Sequence, residues 1–174
     1  MKTRDMTYAA LFAGVIAVSS YISIPTPLVP FTLQPFAIAL CAFILPRKTA
    51  VLAVCLYVLA GLVGLPVFAG ASGGLQTVLK PTFGFIIGFI PMAYVISSFK
   101  SHKILGMRLV SMVLGIVVLY SIALPVLYFN LKLIQEIHLP VSKLFVLYCL
   151  VYLPSDMVSS LVASFVSDRV HTKR

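Results

Sequence analysis

The sequence predicts an all-α membrane protein of six transmembrane helices with both termini in the cytoplasm. Three observations predict it. The 174 residues are 61% hydrophobic and 10% charged, with a mean hydropathy of +1.11, which leaves too little polar surface to coat a soluble globule. Six apolar stretches, at about 7–23, 31–45, 50–66, 81–99, 107–129 and 141–166, approach the roughly 20 residues that a spanning helix needs. Threaded through a bilayer, they leave ten of the thirteen Lys and Arg on one side: Lys2, Arg4, Arg47, Lys48, Lys100, Lys103, Arg108, Arg169, Lys173 and Arg174. Lys80, Lys132 and Lys143 fall on the other. Cytoplasmic connections carry the excess of positive charge, so the ten mark the inside. Six spans use most of the chain, and a single integral membrane domain, residues 1–174, is expected.

The first span follows a basic start, but its length and the five spans after it read as a retained helix and not as a cleaved signal peptide. Ala9, Ala13 and Ala17 recur every fourth residue on it, a smooth stripe on which another helix can approach closely, more often one of the protein's own than a partner's. The proline-rich loop Ile24–Pro30 follows, stiffened because proline fixes φ and removes a donor, and Thr32, Leu33 and Gln34 head a short second span. Pro46-Arg47-Lys48-Thr49 is long enough only for a tight cytoplasmic turn, so spans two and three form a hairpin.

The external segment from Gly64 to Phe85 is the least lipid-like part of the chain. Its glycines permit positive φ and close backbone approach, so it is expected to fold back over the bundle as a lid. Spans four, five and six carry Pro91, Pro125 and Pro154, each of which interrupts a helix ladder and opens room in the interior. No half-to-half symmetry is detectable, which gives no support to an inverted-repeat transporter.

Several classes of function are excluded. The net charge of +9 is scattered over short turns without interleaved aromatics, so it fits orientation and anionic lipid headgroups and not nucleic acid. Cys41, Cys55 and Cys149 lie inside apolar spans without paired spacing, as core residues and not as metal ligands or a disulfide. Gly70-Ala71-Ser72-Gly73 matches a serine-nucleophile pattern, yet His102, His138 and His171 are in loops or the tail, and no general base is available. No enzyme and no cofactor are expected. There is no Gly-x-x-x-x-Gly-Lys-[Ser/Thr], so ATP-driven transport would draw on another subunit.

Asp156 is the informative residue, two positions after Pro154 within the last span. A carboxylate at the bilayer centre costs ~2.5–3.5 kcal/mol on insertion scales and usually turns inward to a function; a helix-to-helix hydrogen bond is the structural alternative. Asp5 and Asp168 are cytoplasmic and Glu136 is in a loop, so no second intramembrane acid completes a two-aspartate protease.

Thr32-Leu33-Gln34, the run Gly64-Leu65-Pro66-Val67-Phe68-Ala69-Gly70 with Gly73-Gly74, and Pro81-Thr82-x-Gly84-Phe85-x-x-Gly88-Phe89 together resemble the BioY family. Its members are the biotin-binding S components of energy-coupling factor (ECF) transporters. The resemblance covers about residues 8–165. It implies a six-helix S-component fold that takes biotin near the external face of the cell membrane and docks on a transmembrane T subunit with two ATPase subunits. It also implies that the Ala9, Ala13, Ala17 stripe is the partner-docking surface. Two motifs depart from the family pattern. Gly-Pro-Thr-Gly-Gly-Tyr is here Lys80-Pro81-Thr82-Phe83-Gly84-Phe85, and Asp-x-x-Lys is Asp156-Met157-Val158-Ser159, with the acid kept and the lysine absent. These departures put ligand specificity in question, so an S component for another vitamin, or a membrane protein without ligand, stands beside the biotin reading.

Biotin's fused ureido and thiophane rings want hydrogen bonds at one end and apolar walls around them, and its carboxylate wants a cation or several N–H donors. Asp156 can accept from the ureido N–H groups, although the sequence does not decide which end of biotin it meets. Gln34 offers donor and acceptor. Phe68, Phe83, Phe85, Tyr148 and Tyr152 are candidate walls, each with core or lipid packing as its plain alternative. Thr82 and Gly73 belong to the site through the motifs. Lys80 is the candidate cation in place of the one absent at Ser159, or else a solvated lid residue.

Overall fold

A computed structural model describes residues 2–26, 29–100, 105–134, 136, 140, 146 and 151–171. Among them are six α-helices: α1 (Thr3–Tyr21), α2 (Gln34–Ile44), α3 (Arg47–Leu62), α4 (Phe83–Phe99), α5 (Leu105–Leu133) and α6 (Val151–His171). Two short strands, β1 (Ser23–Ile24) and β2 (Phe31–Thr32), pair antiparallel between α1 and α2. Tyr148, Lys143 and Cys149 lie outside the described residues.

The exterior of the bundle is apolar, and its interior combines a large apolar core with small and hydroxyl residues. The inner face of α6 buries Asp156, Ser160, Ala163, Ser164 and Ser167, while Val158, Val162 and Phe165 point outward. On α1, Leu11, Val15 and Val18 are exposed, and on α5 so are Val110, Val113 and Val117. Small and hydroxyl residues inside let helices approach closely, and an apolar exterior suits hydrocarbon as the solvent. Gly106–Leu133 is by itself long and apolar enough to cross a membrane, and an 18-residue window within it has a mean hydropathy of 2.4.

Several boundaries differ from the expectation: α1 begins at Thr3 and not near 7, and α3 runs over Arg47–Leu62 and not 50–66. The second span was expected over 31–45, but Phe31 and Thr32 bond to β1 and α2 begins at Gln34, with Pro35 in its first turn. Eleven residues at ~1.5 Å each make α2 about 16 Å long, half of a ~30 Å hydrocarbon layer. The hairpin and a cavity occupy the space beyond its N terminus. At the other ends, α5 continues past 129 to Leu133, and α6 continues past 166 to His171.

The Ala9, Ala13, Ala17 stripe runs along the edge of the core, with its first residue inside and the other two partly exposed. Ala9 is fully buried in a cluster with Ala50 and Ala53 of α3, and Ala13 and Ala17 are half-buried against the main core. The small side chains let α1 and α3 come together. The small residues left outside on α1 are Ala10 and Gly14, and a Cβ at Gly14 would meet nothing within 4 Å.

One end of the bundle is tied by cations. The Lys100 Nζ donates to the carbonyls of Ala42 (2.8 Å), Phe43 (3.0 Å) and Leu45. These lie at the C-terminal end of α2, where a helix leaves carbonyls without intrahelical donors and favours positive charge. Arg108 at the start of α5 pairs with Asp168 near the end of α6.

Candidate functional site

At the opposite end, β2, the N-terminal turns of α2, α4 and α6, and the loop after α3 enclose a cavity of about 580 Å³ including its open mouth. Three local features shape it. Thr82, the N-cap of α4, and Phe85, Ile86 and Phe89 within it line the cavity because residues spaced by three and four share a helix face. Tyr152 and Asp156, one turn apart on α6, line it for the same reason. The loop after α3 doubles back at the Phe68–Ser72 bridge, where Gly70 at φ 71° and Ala71 at φ 53° make the reversal. Phe68 is thereby driven inward to 1% exposure. It lands on Gly61, where a Cβ would stand 2.0 Å from the Phe68 ring.

The polar groups are held from behind. Gln34 donates through Nε2 to the Tyr57 hydroxyl and accepts at Oε1 from Thr32 (3.1 Å). That orients the amide and leaves one N–H and one lone pair for the cavity. Asp156 is 8% exposed, and its Oδ2 accepts from the Tyr120 hydroxyl of α5 at 2.6 Å. The hydroxyls of Tyr152 and Thr26 both reach the Val29 carbonyl and lie 2.9 Å from each other. Phe31 stacks on Tyr152 with centroids 3.9 Å apart and planes 12° from parallel. The result is a mostly aromatic and aliphatic cavity with one carboxylate and one amide aimed into it, suited to a small ligand with an apolar body and N–H donors at one end.

Of the residues singled out in the sequence, the structure brings Gln34, Phe68, Thr82, Phe85, Tyr152 and Asp156 to this cavity. It does not bring Phe83, Lys80, Ser159 or Gly73 to the lining. Phe83 is two positions from Phe85, about 200° around the helix, and packs half-buried on the core. Lys80 is exposed just before α4, and its backbone carbonyl accepts from Asn130 at 2.8 Å. Ser159 lies on α6 beyond Asp156, almost a turn further from the lining residues. Gly73 has a packing role, since a Cβ there would come within 2.1 Å of the Leu65 carbonyl oxygen. Tyr148 lies outside the described residues. The sequence reading missed Phe31, Ile86 and Phe89 in the lining and Tyr57 and Tyr120 behind it. The two tyrosines carried a signal: a hydroxyl within an apolar span seeks a partner when buried.

The family profile described as the BioY family matches residues 1–174. The chain belongs to the BioY family. Similar relatives include the biotin transporter BioY of Thermotoga maritima, 38% identical over 92% of this chain and 94% of that protein. The probable biotin transporter BioY of Pyrococcus horikoshii is 32% identical over 98% of each chain, and that of Lysinibacillus sphaericus is 33% identical over 98% of this chain and 88% of its own. Among solved structures, the S-component for biotin from an ECF-type ABC transporter superposes with a TM-score of 0.83 at 21% identity, covering 99% of this chain and 95% of that one. That likeness establishes the S-component fold. As a member of the BioY family the chain is a membrane transport protein and not an enzyme.

Proposed function

We propose that this BioY-family chain is the substrate-capture subunit of a vitamin uptake system, binding biotin in the cavity between β2 and the N-terminal turns of α2, α4 and α6. The observation that carries the reading is the pairing of Asp156 and Gln34 within aromatic walls. A cyclic urea offers two N–H donors and a carbonyl to such a pair, and a sulfur-containing bicycle fills the apolar remainder. Relatives named as biotin transporters support the choice of ligand. Lys80, exposed beside the mouth, is the partner for a carboxylate that protrudes from it.

The ten-to-three division of positive charge puts the Lys100 and Arg108 end in the cytoplasm with both termini, and opens the cavity to the outside across the cell membrane. The purified protein is expected to bind biotin saturably and to show no saturable binding of riboflavin or thiamine at the same concentrations. Binding of one of these in preference to biotin makes it an S component for another vitamin, and binding of none assigns the chain a role without ligand.

Energy for release into the cell comes, in this reading, from a T subunit carrying two ATPase subunits. The exposed small residues on α1 are Ala10 and Gly14, next to the half-buried Ala13 and Ala17, while Ala9 is fully buried. Gly14→Trp is expected to abolish assembly with the T subunit while leaving biotin affinity and melting temperature of the isolated protein unchanged, and Ala9→Trp is expected to lower all three. Normal assembly of Gly14→Trp would move the docking surface off this face.

A further inference from the structure

We infer that Tyr120 is a positioning residue for the ligand, setting the Asp156 carboxylate from behind the cavity; this rests on the reading of the cavity as a biotin site. Tyr120 does not line the cavity, yet it touches two residues that do. Its hydroxyl donates to Asp156 Oδ2 at 2.6 Å. Its ring meets Phe85 edge to face, with centroids 5.8 Å apart and planes at 87°. Tyr120 and Asp156 come from different helices, α5 and α6, and both are buried, at 5% and 8% exposure.

A carboxylate on a short side chain rotates about two bonds, and in a cavity each of its rotamers presents a different oxygen to a ligand. The buried hydroxyl removes that freedom. It takes one lone pair of Oδ2 and fixes the plane of the carboxylate, so that Oδ1 and the second lone pair of Oδ2 accept from a ligand N–H in one fixed direction. A donor to a carboxylate makes a charge-assisted bond that is short and directional, and the edge-to-face contact with Phe85 keeps the phenol ring from turning away. The ring and the hydroxyl therefore hold one polar and one apolar lining residue in register with each other.

The test is a double-mutant cycle on biotin affinity, measured by titration of purified protein in detergent. Tyr120→Phe keeps the ring, its volume and the contact with Phe85, and removes only the hydroxyl. It is expected to weaken biotin about tenfold or more, the range for loss of a hydrogen bond to a charged group. The same substitution placed on Asp156→Ala is expected to have almost no further effect, because nothing remains to be positioned. A residue with a merely structural role gives equal losses in both backgrounds, and that additivity overturns the proposal, as does unchanged affinity in Tyr120→Phe alone. Failure of the wild-type protein to bind biotin overturns the functional reading instead, and is seen before any variant is compared. Where Tyr120→Phe does not accumulate folded, 3,5-difluorotyrosine at position 120 carries the same test. Its more acidic hydroxyl changes biotin affinity if the bond sets Asp156, and an affinity equal to that of the wild type counts against the proposal.

Discussion

Asp156→Ala is expected to weaken biotin binding at least tenfold while the protein stays folded. The side chain is buried at the cavity wall and accepts from Tyr120, so its removal takes away the acceptor for a ligand N–H that biotin has already desolvated. A hydrogen bond to a charged group is worth ~1.5–3 kcal/mol, which is about ten- to more than a hundredfold in affinity. Folding responds differently. Taking a charge out of a buried place relieves its desolvation, although the Tyr120 hydroxyl then loses its acceptor, and the two effects oppose each other. Asp156→Asn separates charge from hydrogen bonding, because it keeps a carbonyl acceptor, and is expected to fall between the wild type and Asp156→Ala. Titration of the three purified proteins with biotin, beside their melting curves, checks this. An unchanged affinity in Asp156→Ala together with a lowered melting temperature would make Asp156 a structural tie between α5 and α6.

The same residue shows what could be read in the sequence. Asp156 stands out because a carboxylate in an apolar span is expensive and usually has a purpose, which needs no knowledge of its neighbours, whereas Gln34 is singled out through the motif it belongs to. Tyr120 does not stand out, since it sits 36 residues from Asp156 in an otherwise apolar run, and no local pattern links the two. The helices themselves were legible as apolar runs broken by Pro, Gly and basic turns. The ends were less so: Phe31 and Thr32 suit a helix start as well as a strand, and only their pairing with Ser23 and Ile24 decides between them.

Facing was the hardest property to read. A water-soluble helix shows its inner side by hydrophobicity, but α1 carries apolar residues all round, with Phe12 and Ile16 inside and Leu11, Val15 and Val18 outside. A stripe of alanines then has two equivalent interpretations, an inner seam or an outer dock. The packing of α1 on α3 buries Ala9 and leaves Ala13 and Ala17 half-buried at its edge. The glycines of α4 were legible as a motif, while their reason is visible only in three dimensions, where they meet the backbone of α5.

Gly84→Val is expected to destabilise the fold by ~1–3 kcal/mol, the usual cost of overpacking a well-filled interior, or more, because the obstacle here is backbone. A Cβ at Gly84 would stand 2.7 Å from the Ala123 carbonyl oxygen and 2.8 Å from the Val126 Cβ. One turn on, a Cβ at Gly88 would stand 2.8 Å from the Leu119 Cδ1 and 3.1 Å from the Leu119 carbonyl oxygen. Side-chain ends can rotate aside, but the Ala123 carbonyl belongs to the ladder of α5, so the two helices must separate to admit the valine. Separation reaches the site directly. Phe85 on α4 rests on Tyr120 of α5, so a wider gap loosens the hydroxyl that holds Asp156, and biotin affinity is expected to fall together with the melting temperature. Gly14→Val is the matched control: the same chemical change on α1 meets no atom within 4 Å and is expected to leave both quantities near the wild type. Thermal melts and biotin titrations of the two variants in detergent separate crowding at the α4–α5 contact from any general effect of replacing a helical glycine. Equal melting temperatures would mean that α4 and α5 do not meet at Gly84 as closely as described.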